Sequence, residues 1–128
     1  VLFLGFRKDM AKIMRNVDIF VYPTEYDPFS LVILEAMSSG LPIITSNPNL
    51  CGASELILDG YNGIILENNR DIYEIRDKIH LLYKNILFRE KLSFNARKTA
   101  KKYTWQKTGK KFQSLCKEII YAKKGIMG

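Results

Sequence analysis

One histidine, two cysteines and few prolines are what this chain of 128 residues has little of. His80 has no ligand partner at helical spacing, so it reads as a surface or core-edge histidine rather than a catalytic one. Cys51 and Cys116 stand far apart without metal-type spacing. They form no disulfide framework, and that usage fits a reducing, cytoplasmic setting. The longest apolar run falls far short of the roughly 20 residues a membrane span needs. Val1 to Leu4 is too short for a secretory core. Internal repeats and low-complexity tracts are absent too. The chain starts on a strand-like run without Met, which reads as a piece of a longer protein.

What is present is a globular composition. Hydrophobic residues make up 47% of the sequence, enough for one domain with a real core. The net charge of +7 comes mostly from Lys and Arg in the last third. A solvated basic face explains that charge most simply. An anionic membrane surface comes next, and nucleic acid is not expected.

The informative stretch is Tyr22 to Ser46, YPTEYDPFSLVILEAMSSGLPIITS. Asp18 to Tyr22 is a β-branched and aromatic run that Pro23 ends. Pro28 precedes a helix expected from Phe29 or Ser30 to Ser39. Gly40 supplies the stop, Pro42 prevents continuation, and Ile43 to Thr45 opens the next strand. Leu31, Val32, Ile33, Leu34, Ala36 and Met37 leave that helix almost no polar face, so it is expected to be largely buried. Glu35 is the exception, and a carboxylate there needs a partner. One reading is a rim Glu bonded to backbone or to a buried Arg.

The other reading pairs Glu35 with Asp27, seven residues intervening. At helical spacing the two would lie on the order of 12 Å apart along the axis, bordering one cleft. The helix N-terminus between them would offer the amides of Phe29, Ser30 and Leu31 to a phosphate. Two hydroxyl-binding carboxylates beside a phosphate site suit a sugar nucleotide. Glycosidase carboxylate pairs stand closer, about 5 to 9 Å apart. Glu25 is a further carboxylate in the turn and competes with Asp27 for the sugar-facing role, although spacing favours Asp27.

DPFSLVILEAMSSGLPIITS resembles the Glu-x7-Glu segment of retaining GT-B glycosyltransferases of family 4, with FLGFRKDMAKIMRNVDIFVYPT before it and ASELILDGYNGIIL after it. Within that family, YDPFS…LEAM is most similar to the lipopolysaccharide-core glucosyltransferases, where Asp can replace the first Glu. The resemblance runs from Val1 to about Leu66 and more loosely beyond. It implies that Asp27 contacts the donor sugar and Glu35 the ribose. The amides of Phe29, Ser30 and Leu31 would hold phosphate and sugar oxygens, and Arg7 would lie on the base or phosphate side. Ser30 stands where many relatives have Gly, and its hydroxyl is expected to cap the helix. Glu55 matches a Glu near the donor site, or is an ordinary first-turn Glu. The resemblance also implies no cofactor and no metal, a UDP-sugar as donor, and a lipopolysaccharide, glycan or lipid-linked acceptor. An upstream basic element and an N-terminal acceptor domain are missing from this chain, so residues 1–128 are expected to be a partial donor-binding domain, inactive alone. The setting would be cytoplasmic, peripheral on the inner membrane.

Strands alternating with helices give the expected fold class: α/β, a Rossmann-like three-layer parallel sheet with C-terminal helices. Val1 to Leu4 reads as a buried parallel strand. Asp9 is expected to cap a helix to Asn16 with Met10, Ile13 and Met14 inward. Arg7 and Lys8 would lie at a strand's carboxyl edge, where open α/β sheets bind ligands. Ala53 to Leu58 reads as a short helix, Asp59 to Gly63 as a turn, and Gly63 to Leu66 as the last strand. From Arg70 on the chain reads as helical, with apolar positions at Ile72, Ile75, Ile79, Leu82 and Ile86, then at Leu92, Ala96 and Ala100. Thr104 would cap a final helix whose apolar stripe is Phe112, Leu115, Ile119 and Ile120. Docking of that stripe on the sheet is its simplest explanation; its basic face, Lys107, Lys110, Lys111, Lys117, Lys123 and Lys124, also suits an anionic membrane. Two other functions fit less of the sequence: a GT-B-fold sugar-nucleotide epimerase, and a non-catalytic basic module for membrane or nucleic acid.

Overall fold

The computed structural model describes residues 1–126, with side chains to Ala122; Lys123 and Lys124 of the basic face lie outside those described side chains. Three short parallel strands, β1 (Phe20–Tyr22), β2 (Ile43–Thr45) and β3 (Ile64–Ile65), form a sheet in the order β1-β2-β3. Val21 pairs with Ile44, which in turn pairs with Ile64. Helix α1 (Met10–Met14) precedes β1, and α2 (Leu31–Ser39) makes the crossover to β2. A 3₁₀ turn (Gly52–Leu56) leads toward β3, and α3 (Ile72–Lys84), α4 (Ile86–Ala100) and α5 (Trp105–Ile126) follow.

Because strand side chains alternate, β2 feeds two cores. Ile43 joins Met14, Ile33, Met37 and Ala96 under α1, α2 and α4. Ile44 joins Ile64, Leu66, Leu82 and Leu92 on the opposite face under α3. Burying each of the Ile, Leu and Met side chains among them contributes roughly 1.5–3 kcal/mol. That is the three-layer α/β arrangement expected from the alternation of elements.

Local chemistry sets the boundaries. Gly40 ends α2 at φ 78, the left-handed conformation that only glycine adopts without strain. Asp71 caps α3 by accepting from the Tyr73 and Glu74 amides, and Asn85 accepts from the Phe88 amide to start α4. Thr104 Oγ1 accepts from the Lys107 amide, the cap expected for α5. Buried Asn62 accepts from the Leu58 amide and donates to the Leu56 carbonyl and Thr99 Oγ1, fastening the turn before β3 to α4.

Several expectations are corrected. Val1 to Leu4 is not a strand: its side chains are exposed, and no described strand lies beside it to complete a ladder. Asp9 does not cap α1 through its side chain, because Arg7 holds both carboxylate oxygens; Met10 is exposed while Met14 is buried. Ile72 and Ile79 are exposed, since α3 meets the sheet only along the line of Ile75 and Leu82; Ile86, which the spacing placed with them, opens α4 instead and is also exposed. Leu92, Ala96 and Ala100 are all buried, as their spacing predicts. The α5 stripe is not docked on the sheet: Phe112, Leu115, Ile119 and Ile120 are each at least half exposed.

Candidate functional site

The loops that follow the three strands meet at one edge of the sheet and are stitched together there. The Thr24 carbonyl accepts from Ser46 Oγ at 2.6 Å and from Asn69 Nδ2 at 2.9 Å, joining the loops after β1, β2 and β3. Arg70 pairs with Glu25 at 3.0 Å on the surface. That pairing gives Glu25 a partner within the chain.

Asp27 is fixed from both sides. Its amide donates to the Leu50 carbonyl at 2.8 Å, and its carbonyl accepts from the Gly52 amide at 3.0 Å. A Cβ on Gly52 would overlap the Pro28 carbonyl oxygen, so only glycine allows this approach. The Asp27 carboxylate accepts from Tyr22 Oη at 2.8 Å and from the Phe29 amide at 3.1 Å.

Two consequences revise the expected phosphate site. The Phe29 amide is already taken by Asp27. Helix α2 begins at Leu31 with Ser30 as its N-cap residue, and the Ser30 hydroxyl makes no cap bond. The amides of Ser30, Leu31 and Val32 have no partner among the described residues. They are the orphan donors of the helix N-terminus, one residue later than spacing suggested. Asp27 lies outside the helix, in an extended stretch bridged to Cys51, so helical geometry does not set its distance from Glu35.

Helix α2 is buried on one face only. Ile33, Ala36 and Met37 pack inward, while Leu31 is 50% exposed and Glu35 is exposed. The outer face forms one wall of a groove of about 550 Å³, with Phe29, Leu31 and Glu35 along it. Tyr103, Trp105 and Gln106, from the α4–α5 junction, form the other wall. Glu35 accepts no hydrogen bond and no ion pair from the described residues, so its carboxylate is available to a ligand. The groove brings together Glu35, Phe29 and Leu31, but not Asp27, Ser30 or Arg7.

Arg7 is held by Asp9, with bonds of 2.8 and 2.7 Å. The Arg7 guanidinium keeps the Asp9 carboxyl below the usual carboxylate range. Glu55 is an exposed residue of the 3₁₀ turn, and His80 is exposed beside Tyr83 on α3, lining a different groove. Among the described residues no group of three or more His, Cys, Asp or Glu is placed to hold a metal ion. The spacing of motifs missed the Tyr22 bond, the stitching of Thr24 and the aromatic wall. Only the strand-end position of Tyr22, five residues before Asp27, could have pointed to the first.

A parallel sheet with helices on both faces defines an open α/β domain, a class in which ligands bind outside the carboxyl ends of the strands. Residues 1–99 match the family described as Glycosyl transferases group 1, and the chain belongs to that family. It is 31% identical over 99 residues to an uncharacterized glycosyltransferase of Methanocaldococcus jannaschii, covering 77% of this chain and 27% of that protein. It is 29% identical over 120 residues to N,N'-diacetylbacillosaminyl-diphospho-undecaprenol alpha-1,3-N-acetylgalactosaminyltransferase of Campylobacter jejuni, covering 94% of this chain and 31% of the relative. Among solved structures, HepE of Anabaena in complex with UDP-glucose superposes with a TM-score of 0.71 at 30% identity, over 78% of this chain and 27% of that one. The fold is thus that of the C-terminal domain of GT-B glycosyltransferases. The chain spans about a third or less of the length of these relatives.

Proposed function

We propose that this chain is the donor-binding part of a retaining glycosyltransferase that moves a glucose-type sugar from UDP to a lipopolysaccharide, glycan or lipid-linked acceptor. The observation that carries this reading is the unpaired Glu35 carboxylate in a groove beside the orphan amides of α2. Glu35 accepts hydrogen bonds from the ribose hydroxyls. The Ser30 and Leu31 amides, at the positive end of α2, take oxygens of the diphosphate and hold the charge that grows as it leaves. Asp27 accepts from hydroxyls of the donor sugar, and Arg7 adds positive charge once a phosphate competes with Asp9 for it. In this reading the leaving group needs no metal, and attack on the face of departure retains configuration. Two likenesses support the substrate classes: HepE was solved with UDP-glucose, and the Campylobacter relative is named for a polyprenol-diphosphate acceptor.

The exposed α5 stripe, with Lys107, Lys110, Lys111 and Lys117 on the same helix, supports an anionic membrane surface as the place where a lipid-linked acceptor is met. No described helix is long and apolar enough to cross a membrane. An epimerase would need acid and base groups in the groove, and His80 lies elsewhere. The donor is tested by following amide shifts as UDP-glucose, GDP-mannose and ADP-glucose are added. Saturable shifts at Ser30 to Val32 with the UDP-sugar are expected. Shifts confined to the other two donors would overturn the choice of base.

A further inference from the structure

The bond from Tyr22 to Asp27 joins a rigid element to a loop. Tyr22 ends β1, where it pairs with Thr45 and where the Thr45 hydroxyl donates to its carbonyl at 3.1 Å. Its ring stacks on Phe20, centroids 6.0 Å apart and planes 14° from parallel, and both rings pack on the larger core. The phenol oxygen is therefore a fixed point. From it, a 2.8 Å bond reaches Asp27 across the turn of Pro23 to Tyr26. The far side of Asp27 is anchored by Leu50 and Gly52.

Resting on the donor-binding reading above, we infer that Tyr22 is a positioning residue for Asp27, setting which acceptor positions the carboxylate turns toward the donor sugar. An ionised carboxylate has roughly four acceptor positions. Tyr22 fills one on Oδ2 and the Phe29 amide fills one on Oδ1, which divides the remainder between the two oxygens. A sugar presenting neighbouring hydroxyls can then be bound by both oxygens at once. Without the phenol, the side chain keeps only its own short-range bond to Phe29 and is free to rotate about it. Preorganisation of this kind acts on bound sugar and is silent toward a ligand that has none.

The test is Tyr22→Phe in the full-length chain, which keeps the ring, its stack and the strand. Transfer from UDP-glucose and binding of UDP are measured together, in the wild type, Tyr22→Phe, Asp27→Ala and the double variant. Tyr22→Phe should lower kcat/KM for UDP-glucose by about tenfold to a hundredfold, the range for a hydrogen bond to a charged group. UDP affinity should not change. In the Asp27→Ala background the same substitution should have no further effect. Equal losses for UDP and UDP-glucose, unaltered transfer, or a full additional loss in the Asp27→Ala background would each overturn the inference. Wild-type protein that binds no UDP would instead overturn the donor-binding reading, and the inference with it.

Discussion

Arg97 on α4 donates from Nη2 to the Ser39 carbonyl at 3.0 Å, holding the last turn of the helix that carries Glu35. The contact satisfies a carbonyl that the helix leaves unpaired and sets a cation at the negative end of the dipole. Gly40, next in sequence, gives the guanidinium its room: a Cβ there would overlap it, at a backbone φ of 78. Arg97→Ala should destabilise the fold by about 1 kcal/mol, and Gly40→Ala by more, about 1–3 kcal/mol. Denaturant unfolding checks both. Gly40→Ala as stable as wild type would contradict the reading of this cap.

Gly52→Ala tests the site loop. The new methyl would meet the Pro28 carbonyl oxygen, a backbone atom with no rotamer to yield. Asp27 has its two main-chain bonds at this junction, so the loop must move. A cost of about 1–3 kcal/mol is expected, the range for forced overpacking, together with weaker donor binding. Unchanged stability and binding would show that the loop tolerates the shift.

Arg7 and Asp9 make a pH prediction. Arg7 holds the Asp9 carboxyl below the usual range, so the folded value is depressed. The contribution is present above the ordinary carboxylate range and is lost as pH falls through the lowered folded value. A carboxylate NMR titration should place the Asp9 midpoint below that of a free aspartate, and Arg7→Ala should return it. A phosphate-bearing ligand that recruits Arg7 should raise the midpoint as well.

Much of this arrangement is legible from residue spacing alone. Leu92, Ala96 and Ala100 fall on one face of α4 and are buried together, because a helix packed between two neighbours needs that spacing. Gly40 and Thr104 mark helix ends through their own local chemistry. Val1 to Leu4 reads as a strand but lacks a neighbouring strand among the described residues, and a strand exists only in a ladder. The apolar run Leu31 to Leu34 reads as largely buried; tertiary packing leaves one face of it open to a groove. Asp27 and Tyr22 meet through a turn whose path depends on Leu50 and Gly52, more than twenty residues away in sequence. No local pattern encodes that path.

Helix α5 should bind vesicles in proportion to their anionic lipid. Phosphatidylglycerol vesicles should sediment the full-length protein, and added salt should weaken the interaction. Replacing Phe112 and Ile119 by Ser, both exposed, should reduce binding about tenfold or more without unfolding the domain. Equal binding to neutral phosphatidylcholine, or none to either, would contradict an anionic-membrane role for the stripe.

Glu35→Ala is the most direct test of the central claim, because Glu35 is the carboxylate that the groove leaves unpaired. Isothermal titration with UDP-glucose should show affinity falling by about tenfold to a hundredfold while the variant unfolds at the wild-type denaturant midpoint. Unchanged affinity in a folded variant would contradict the assignment of this groove to the donor nucleotide.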